Sequence, residues 1–109
     1  MKKDKTLKKN GDFHRLYSKG KSAINQYLVL YVLPNRDGLS RVGYTVSAKL
    51  GNAVTRNRIR RRLREIYRLN GIKPGQDLVI VARSKCVEAS YQEIEKAYFE
   101  LLCKLNLLT

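Results

Sequence analysis

Runs of apolar residues separated by turn residues predict three β-strands in this chain. The segment Ala23–Leu33 is β-prone, and within Tyr27–Leu33 both alternating faces are apolar, which predicts a central strand covered on both sides. The turn sequence Pro34–Gly38 then predicts a hairpin to a second strand, Arg41–Ser47, that pairs antiparallel with the first. A short, uniformly apolar run, Asp77–Ala82, predicts a third and buried strand.

The second predicted strand has two unlike faces. Val42, Tyr44 and Val46 form its core face. Its opposite face is small and polar, with Gly43 and Thr45 at its centre, which predicts a shallow depression on that side of the sheet.

Apolar residues at helical spacing predict three helices. The first is short, is capped within Asn10–Asp12 and ends at Gly20. The second is capped by Thr55 and ends near Asn70. The third opens with a capping box over Ser90–Glu93. Its apolar stripe, which we expect to pack on the sheet, comprises Tyr91, Ile94, Tyr98, Leu101, Leu102 and Leu105.

The resulting order, α-β-β-α-β-α, predicts an α/β (α+β) two-layer sandwich in which a small mixed sheet packs with helices. With 109 residues, the chain is long enough for one core, so we expect a single domain over residues 1–109. The first nine residues are polar and basic, and they are predicted to form a flexible arm.

The charge of the chain adds a function to the predicted sandwich fold, namely binding of a polyanion. The chain carries 23 Lys and Arg residues against 9 Asp and Glu residues, a net charge of +14. Residues 71–109 hold five basic and five acidic side chains, so the whole excess lies in residues 1–70. Such an uneven distribution predicts one basic face that binds nucleic acid.

The second predicted helix concentrates this charge. Thr55–Arg68 contains seven arginines and one glutamate, while Ile59, Leu63 and Ile66 form a narrow apolar stripe that docks on the core. One guanidinium group can bind two phosphate oxygens at once, so the remaining surface of the helix is predicted to bind a nucleic-acid backbone. The arginines are Arg56, Arg58, Arg60, Arg61, Arg62, Arg64 and Arg68.

Three aromatic residues offer a second mode of binding. Phe13, Tyr17 and Tyr31 fall on elements that can line one surface, where rings stack on single-stranded bases. The alternative is that the same rings belong to the core.

Other classes of chemistry lack their residues. His14 is the sole histidine and has no evident acidic or nucleophilic partner, so we expect no catalytic side chain. Cys86 and Cys103 lie far apart and suggest neither a disulfide nor a metal site. The sequence contains no phosphate-loop pattern, so we expect no small-molecule substrate. No apolar run reaches the ~20 residues of a membrane span. We expect a cytoplasmic protein that needs no oligomer for its function.

The block from Arg41 to Arg61 closely resembles the signature of the bacterial ribonuclease P protein family. Arg56-Asn57-Arg58 matches the RNR motif of that family, and Gly51-Asn-Ala-Val54 precedes it as it does there. The similarity extends to Leu7–Phe13 and to Val29–Tyr31, and it covers nearly the whole chain. In two positions the chain departs from the family pattern: Ala48 stands where Lys is frequent, and Tyr17 where Phe is common.

The resemblance implies a specific role. Proteins of this family join a catalytic RNA which, with its Mg²⁺ ions, removes the 5′ leader from precursor tRNA. The arginine helix would bind the catalytic RNA, and the protein would supply neither a catalytic residue nor a metal site. A left-handed βαβ crossover is also implied, contrary to the usual hand. Carried over by position, the cleft for the single-stranded leader comprises Phe13, Tyr17, Tyr31, Lys49, Asn52 and Asn57.

Two other classes of function remain open at this stage. One is a DNA-binding module that places the arginine helix in a major groove, although strands rather than helices flank that helix. The other is a nuclease that works without RNA, which the absence of histidine and carboxylate clusters disfavours.

Overall fold

The computed structural model describes residues 5–108. Within this part of the chain, five strands and three α-helices follow one another, and short 3-10 turns at Ala48–Leu50 and Ser84–Val87 lie in the connections. The elements are β1 (Lys5–Thr6), α1 (Asn10–Lys19), β2 (Lys21–Ile24), β3 (Leu28–Pro34), β4 (Arg41–Thr45), α2 (Ala53–Leu69), β5 (Gln76–Ala82) and α3 (Tyr91–Lys104).

The five strands form one mixed sheet in the order β1-β4-β5-β3-β2. β5 lies at its centre, antiparallel to β3 and parallel to β4. The predicted hairpin between β3 and β4 is therefore wrong, because β5 is inserted between them. Five of the seven residues of β5 are apolar, and at the centre of the sheet strands pair with both of its edges while helices cover both of its faces.

The β-prone stretch Ala23–Leu33 is a hairpin of β2 and β3, not one strand. Asn25 makes the turn: its Oδ1 accepts hydrogen bonds from the backbone N–H groups of Tyr27 (3.0 Å) and Leu28 (2.9 Å). Asparagine side chains replace backbone partners in turns in this way. The turn contains neither Gly nor Pro, so the sequence pattern gave no sign of it.

Both faces of the sheet are covered. Leu30, Leu78 and Ile80 are fully buried in the large core that α2 and α3 share with the sheet. On the other face, Val79 packs in a second cluster with Leu16 of α1. The α+β class with a mixed sheet is confirmed, and α1 adds a partial third layer to the predicted two.

Residues 5–7 of the predicted flexible arm lie against the sheet, and residues 8 and 9 lead into α1. Lys5 and Thr6 pair parallel with Arg41 and Val42 in β4, and Leu7 is 4% exposed. The Leu7 N–H also donates to the carbonyl oxygen of Val42 at 2.8 Å. An apolar side chain at position 7 can be buried beside the sheet, and this ties the preceding backbone to β4. The rest of the predicted arm, residues 1–4, lies outside the described residues.

Two helix starts differ from the prediction. Asn52 caps α2, where its Oδ1 accepts from the Thr55 N–H at 2.9 Å, so Thr55 is inside the helix rather than at its cap. Asn10 is the first residue of α1, and the cap position, Lys9, has no side-chain hydrogen bond. The capping box of α3 is confirmed, with Ser90 and Glu93 each bonded to the backbone of the other.

The helix α2 connects two parallel neighbours, so β4, α2 and β5 form a βαβ unit. This unit fixes the arginine helix to the sheet through the buried side chains of Ile59, Leu63 and Ile66. The left hand implied for this crossover stays a prediction.

Candidate RNA-binding surface

Three aromatic rings meet between α1 and the sheet. Tyr17 and Tyr31 contact edge to face with centroids 5.0 Å apart, and Phe13 lies 6.4 Å from Tyr17. Phe13 and Tyr31 are half-buried, whereas Tyr17 is 40% exposed. The rings therefore pack against the smaller core cluster and still present surface to solvent. We call Phe13, Tyr17 and Tyr31 together the aromatic cleft.

The cleft sits on β4. A Cβ atom built on Gly43 would lie 2.6 Å from Cζ of Phe13, so the ring rests directly on the backbone of this buried glycine. One further pleat along, the Tyr17 hydroxyl and Thr45 Oγ1 are 2.6 Å apart and share a hydrogen bond. The predicted depression on this face of β4 is thus the place where α1 packs its aromatic side chains.

Lys49, Asn52 and Asn57 lie beyond the C-terminal end of β4, and all three are exposed. Lys49 follows Thr45 by four residues, so their Cα atoms are at most about 14 Å apart. The side-chain oxygen of Asn52 is engaged in capping α2, and that of Asn57 accepts from Arg60 Nη1 at 3.2 Å. Both asparagines therefore offer their NH₂ groups, which are donors, to a further ligand.

The arginines of α2 divide by their partners within the protein. Arg58 Nη2 donates to the Val87 carbonyl at 3.1 Å, and Arg62 Nη1 donates to the Ala89 carbonyl at 2.8 Å. These two side chains hold the segment between β5 and α3. Arg62 is half-buried, which makes its hydrogen bond the better shielded of the two.

Two of the other arginines are more open to a ligand. Arg61 and Arg64 are exposed, and the Arg64 guanidinium lies 6.0 Å from the ring centroid of Tyr44. Burial raises the pKa of Tyr44 to about 12, although the charge of Arg64 opposes the rise, so this phenol stays neutral. Arg56 Nε donates to the Gly51 carbonyl at 3.2 Å, and Arg60 is half-buried.

Arg68 has an acidic partner in the helix itself. Its guanidinium binds both carboxylate oxygens of Glu65, at 2.6 and 3.1 Å. The hydrogen bond from Arg68 lowers the pKa of Glu65 below its usual value. A phosphate that binds Arg68 must compete with this exposed ion pair.

One charged cluster was missed by the reading of the sequence. Asp77, at the start of β5, is fully buried. Arg41 binds it with two hydrogen bonds, Nε to Oδ1 at 2.8 Å and Nη2 to Oδ2 at 2.6 Å. Arg15 Nη2 donates to Oδ2 at 2.9 Å, and Asn35 Nδ2 donates to Oδ1 at 2.8 Å. We call these four residues the Asp77 network.

The network keeps Asp77 ionised. Burial by itself would raise the pKa of this carboxyl, but hydrogen bonds from Arg41 and Asn35 and the charges of Arg41 and Arg15 outweigh burial, so the pKa lies below its usual value. An aspartate that opens an otherwise apolar strand was the available signal, because a buried carboxylate needs a cation.

Residues 5–108 show no sign of a metal site or of a membrane-spanning helix. No group of three or more His, Cys, Asp or Glu side chains there is arranged to hold a metal ion. None of the helices in that part of the chain combines the length and the apolar character needed to cross a membrane. The Cys86 thiol is buried, which raises its pKa to about 11 and keeps it protonated.

Comparison with known proteins decides the family. The family model described as Ribonuclease P matches residues 1–106. A ribonuclease P protein component from Alkaliphilus oremlandii is 49% identical over 110 residues, which cover 99% of this chain and 96% of the relative. The chain belongs to the ribonuclease P protein family.

Solved ribonuclease P proteins have the same fold. The Staphylococcus aureus protein matches with a TM-score of 0.89 at 34% identity, over 98% of this chain and all of the other. The Thermotoga maritima protein matches with a TM-score of 0.80 at 30% identity, over 88% of this chain and 93% of the other. The resemblance carried by the RNR block is thereby confirmed.

Membership settles the broad role. A ribonuclease P protein is a subunit of an endoribonuclease holoenzyme and works with ribonuclease P RNA in the 5′ processing of tRNA. Membership in this family therefore replaces the two alternatives, a DNA-binding module and a nuclease that works without RNA. Which of its side chains bind which RNA is the remaining question.

Proposed function

We propose that the aromatic cleft binds the single-stranded 5′ leader of precursor tRNA, while the exposed side of α2 binds ribonuclease P RNA. The observation that carries the proposal is the cleft itself: three contacting rings, one of them 40% exposed, at the side of a chain with a net charge of +14. Exposed rings on an electropositive protein stack on bases without regard to sequence.

The polar residues beyond β4 complement the rings. Lys49 brings a positive charge within about 14 Å of Thr45 along the backbone. Asn52 brings an NH₂ donor at the cap of α2, and Asn57 brings another in the second turn of that helix. Bases that stack in the cleft would thus be followed by phosphates near these donors, which is the arrangement of other single-strand binding grooves.

All seven predicted arginines bind the catalytic RNA in this proposal, but they contribute unequally. Arg61 and Arg64, which are exposed, are the primary phosphate ligands, and Arg56 and Arg60 support them. Arg58 and Arg62 each donate one hydrogen bond to a backbone carbonyl, that of Val87 and that of Ala89, and have their other N–H groups left for RNA. The list of proposed ligands is completed by Arg68, beside Glu65.

Hydrolysis of the phosphodiester bond is assigned to the RNA and to the Mg²⁺ ions that the RNA holds. The protein contributes position and charge neutralisation. Arginines that replace counterions at crowded phosphates lower the concentration of salt that the assembled RNA needs.

The experiment uses the protein reconstituted with ribonuclease P RNA. It measures the dissociation constants of a precursor tRNA and of the same tRNA without its leader, and takes their ratio as the leader discrimination. Phe13→Ala removes one stacking surface worth ~1–3 kcal/mol, so the discrimination should fall by about fivefold to 150-fold. Equal discrimination by the wild type and Phe13→Ala would refute the cleft assignment.

The matched control is Phe99→Ala. Phe99 lies on α3 outside the cleft, is 37% exposed and contacts Tyr98 edge to face. This variant loses the same ring and should retain the leader discrimination. A fall equal to that of Phe13→Ala would mean that loss of an aromatic residue, and not of the cleft, causes the effect.

A further inference from the structure

The Asp77 network joins the helix that carries two cleft rings to the centre of the sheet. Arg15 belongs to α1, Arg41 to β4 and Asp77 to β5, while Asn35 follows β3. The carboxylate accepts four hydrogen bonds from the other three side chains. Arg41 and Asn35 connect neighbouring parts of the sheet region, so Arg15 is the member that reaches from the helix.

Arg15 and the cleft rings hold α1 from opposite sides. Leu16, fully buried, is the contact at the middle of the helix. Successive residues of a helix are about 100° apart, so Arg15 and Tyr17 lie on opposite flanks of Leu16. On one flank Arg15 binds Asp77 at 2.9 Å, and on the other Tyr17 meets Thr45 at 2.6 Å.

The orientation of α1 about its own axis sets where the cleft rings stand. Side chains of a helix extend about 5–6 Å from its axis, so a roll of about 10° displaces a ring by about 1 Å. Leu16 alone does not fix such a roll, because an apolar contact has no preferred direction. A charged hydrogen bond does, since it weakens steeply away from its preferred angle.

We infer that Asp77 is a positioning residue which, through Arg15, fixes the roll of α1 and thereby the placement of Phe13 and Tyr17 for the leader. The inference rests on the proposed function of the cleft. It assigns to Asp77 and Arg15 no contact with RNA. Their effect reaches the leader only through the rings.

The test changes the helix end of the contact, because Arg15 is exposed at 42% of its side chain whereas Asp77 is buried. Arg15→Met keeps most of the aliphatic stem and leaves Asp77 bound by Arg41 and Asn35. In the reconstituted holoenzyme, the leader discrimination should fall about threefold to tenfold, a fraction of the loss of a whole stacked ring. Affinity for the leaderless tRNA should stay within about twofold.

The controls separate position from charge and from folding. Lys19→Met removes one positive charge from the same helix, outside the Asp77 network, and should leave the discrimination unchanged. Arg15→Lys restores a cation at the site and should recover part of the loss. Equal losses for Arg15→Met and Lys19→Met, or equal losses for tRNA with and without a leader, would overturn the inference.

A triple variant shows whether Arg15 acts through the rings. If it does, Arg15→Met should have no further effect on discrimination once Phe13→Ala and Tyr17→Ala are both present. An undiminished effect in that background would also overturn the inference. If the ring substitutions themselves change nothing, the proposed function fails. If they reduce discrimination while Arg15→Met does not, the proposed function stands and the positioning role fails.

Discussion

Gly43→Ala tests how closely Phe13 is fitted to the sheet. The added Cβ would lie 2.6 Å from Cζ and 2.8 Å from Cε1 of Phe13, and 3.2 Å from Cβ of Leu7. Carbon atoms in contact prefer about 3.5–4.0 Å, so the Phe13 ring must withdraw by about 1 Å. Because Phe13 is a member of the aromatic cleft, the change acts on the leader site from beneath, without touching its exposed surface.

Two terms oppose each other in the stability of this variant. Alanine restricts the unfolded chain more than glycine does, which favours folding by about 0.4–1 kcal/mol where the backbone conformation suits it. Gly43 lies in β4, where alanine fits the backbone. Overpacking a buried site costs about 1–3 kcal/mol. We therefore expect a net loss in the free energy of unfolding of up to about 2.5 kcal/mol.

Gly11→Ala is the matched control. Gly11 lies in α1, and a Cβ there would meet nothing within 4 Å. Alanine is favoured over glycine in helices by up to ~1 kcal/mol, so this variant should be at least as stable as the wild type. Urea unfolding gives the free energy of each variant, and the reconstituted holoenzyme gives its leader discrimination.

Gly43→Ala should lower the leader discrimination and Gly11→Ala should not. The size of the fall is bounded by that of Phe13→Ala, because a displaced ring loses no more stacking than a missing one. If Gly43→Ala proved more stable than the wild type and kept its full discrimination, the ring would not be seated on β4 as described, and the reasoning would be refuted.

Four further variants probe other contacts. Asp77→Asn should cost about 1.5–3 kcal/mol, because it removes the buried charge that Arg41 and Arg15 bind. A carboxyl with a lowered pKa stabilises the fold above about pH 4 and loses that effect as pH falls through its folded pKa. Urea unfolding should therefore show the deficit shrinking in acid, and a constant deficit would contradict this. Arg62→Gln should lower the free energy of unfolding by about 1–2 kcal/mol. Arg61→Gln should change it by less than about 0.5 kcal/mol yet reduce the slope of the salt dependence of RNA binding by about one unit. If thermal melts showed the larger loss for Arg61→Gln and RNA titrations the larger effect for Arg62→Gln, the division between the two arginines would be refuted. Tyr17→Phe removes an exposed hydrogen bond to Thr45 and should cost about 0.5–1 kcal/mol with the discrimination intact, and a loss as large as that of Tyr17→Ala would assign the effect to the hydroxyl instead of the ring.

Local patterns predicted the elements better than their partners. The third helix was predicted with its capping box because Ser90 and Glu93 act within one turn, and β5 was predicted because an apolar run of that length has few alternatives. The pairing of β4 with β5 was missed, since their connection runs through the whole of α2. The turn residues after β3 predict that the chain turns there, but they do not show which strand pairs with β3.

The candidate site was predicted in the same uneven way. Phe13, Tyr17 and Tyr31 could be named from residue type and from the resemblance, and the structure brings them into contact. The Asp77 network could not be assembled, because Arg15 meets Asp77 across 62 positions of sequence and only after α1 has packed on the sheet. The apolar stripe of the arginine helix likewise gave no indication that Arg62 binds the carbonyl of Ala89.

The central position of β5 has a consequence for the order in which the protein becomes functional during synthesis. Residues 1–70, which leave the ribosome first, hold all of the net positive charge and both α1 and α2. Without β5, however, β4 and β3 have no common neighbour, and α1 has neither Val79 nor Asp77 beneath it. The chain is therefore strongly basic and incompletely folded until β5 joins the sheet. The aromatic cleft takes its final form only at that late step, which closes the sheet.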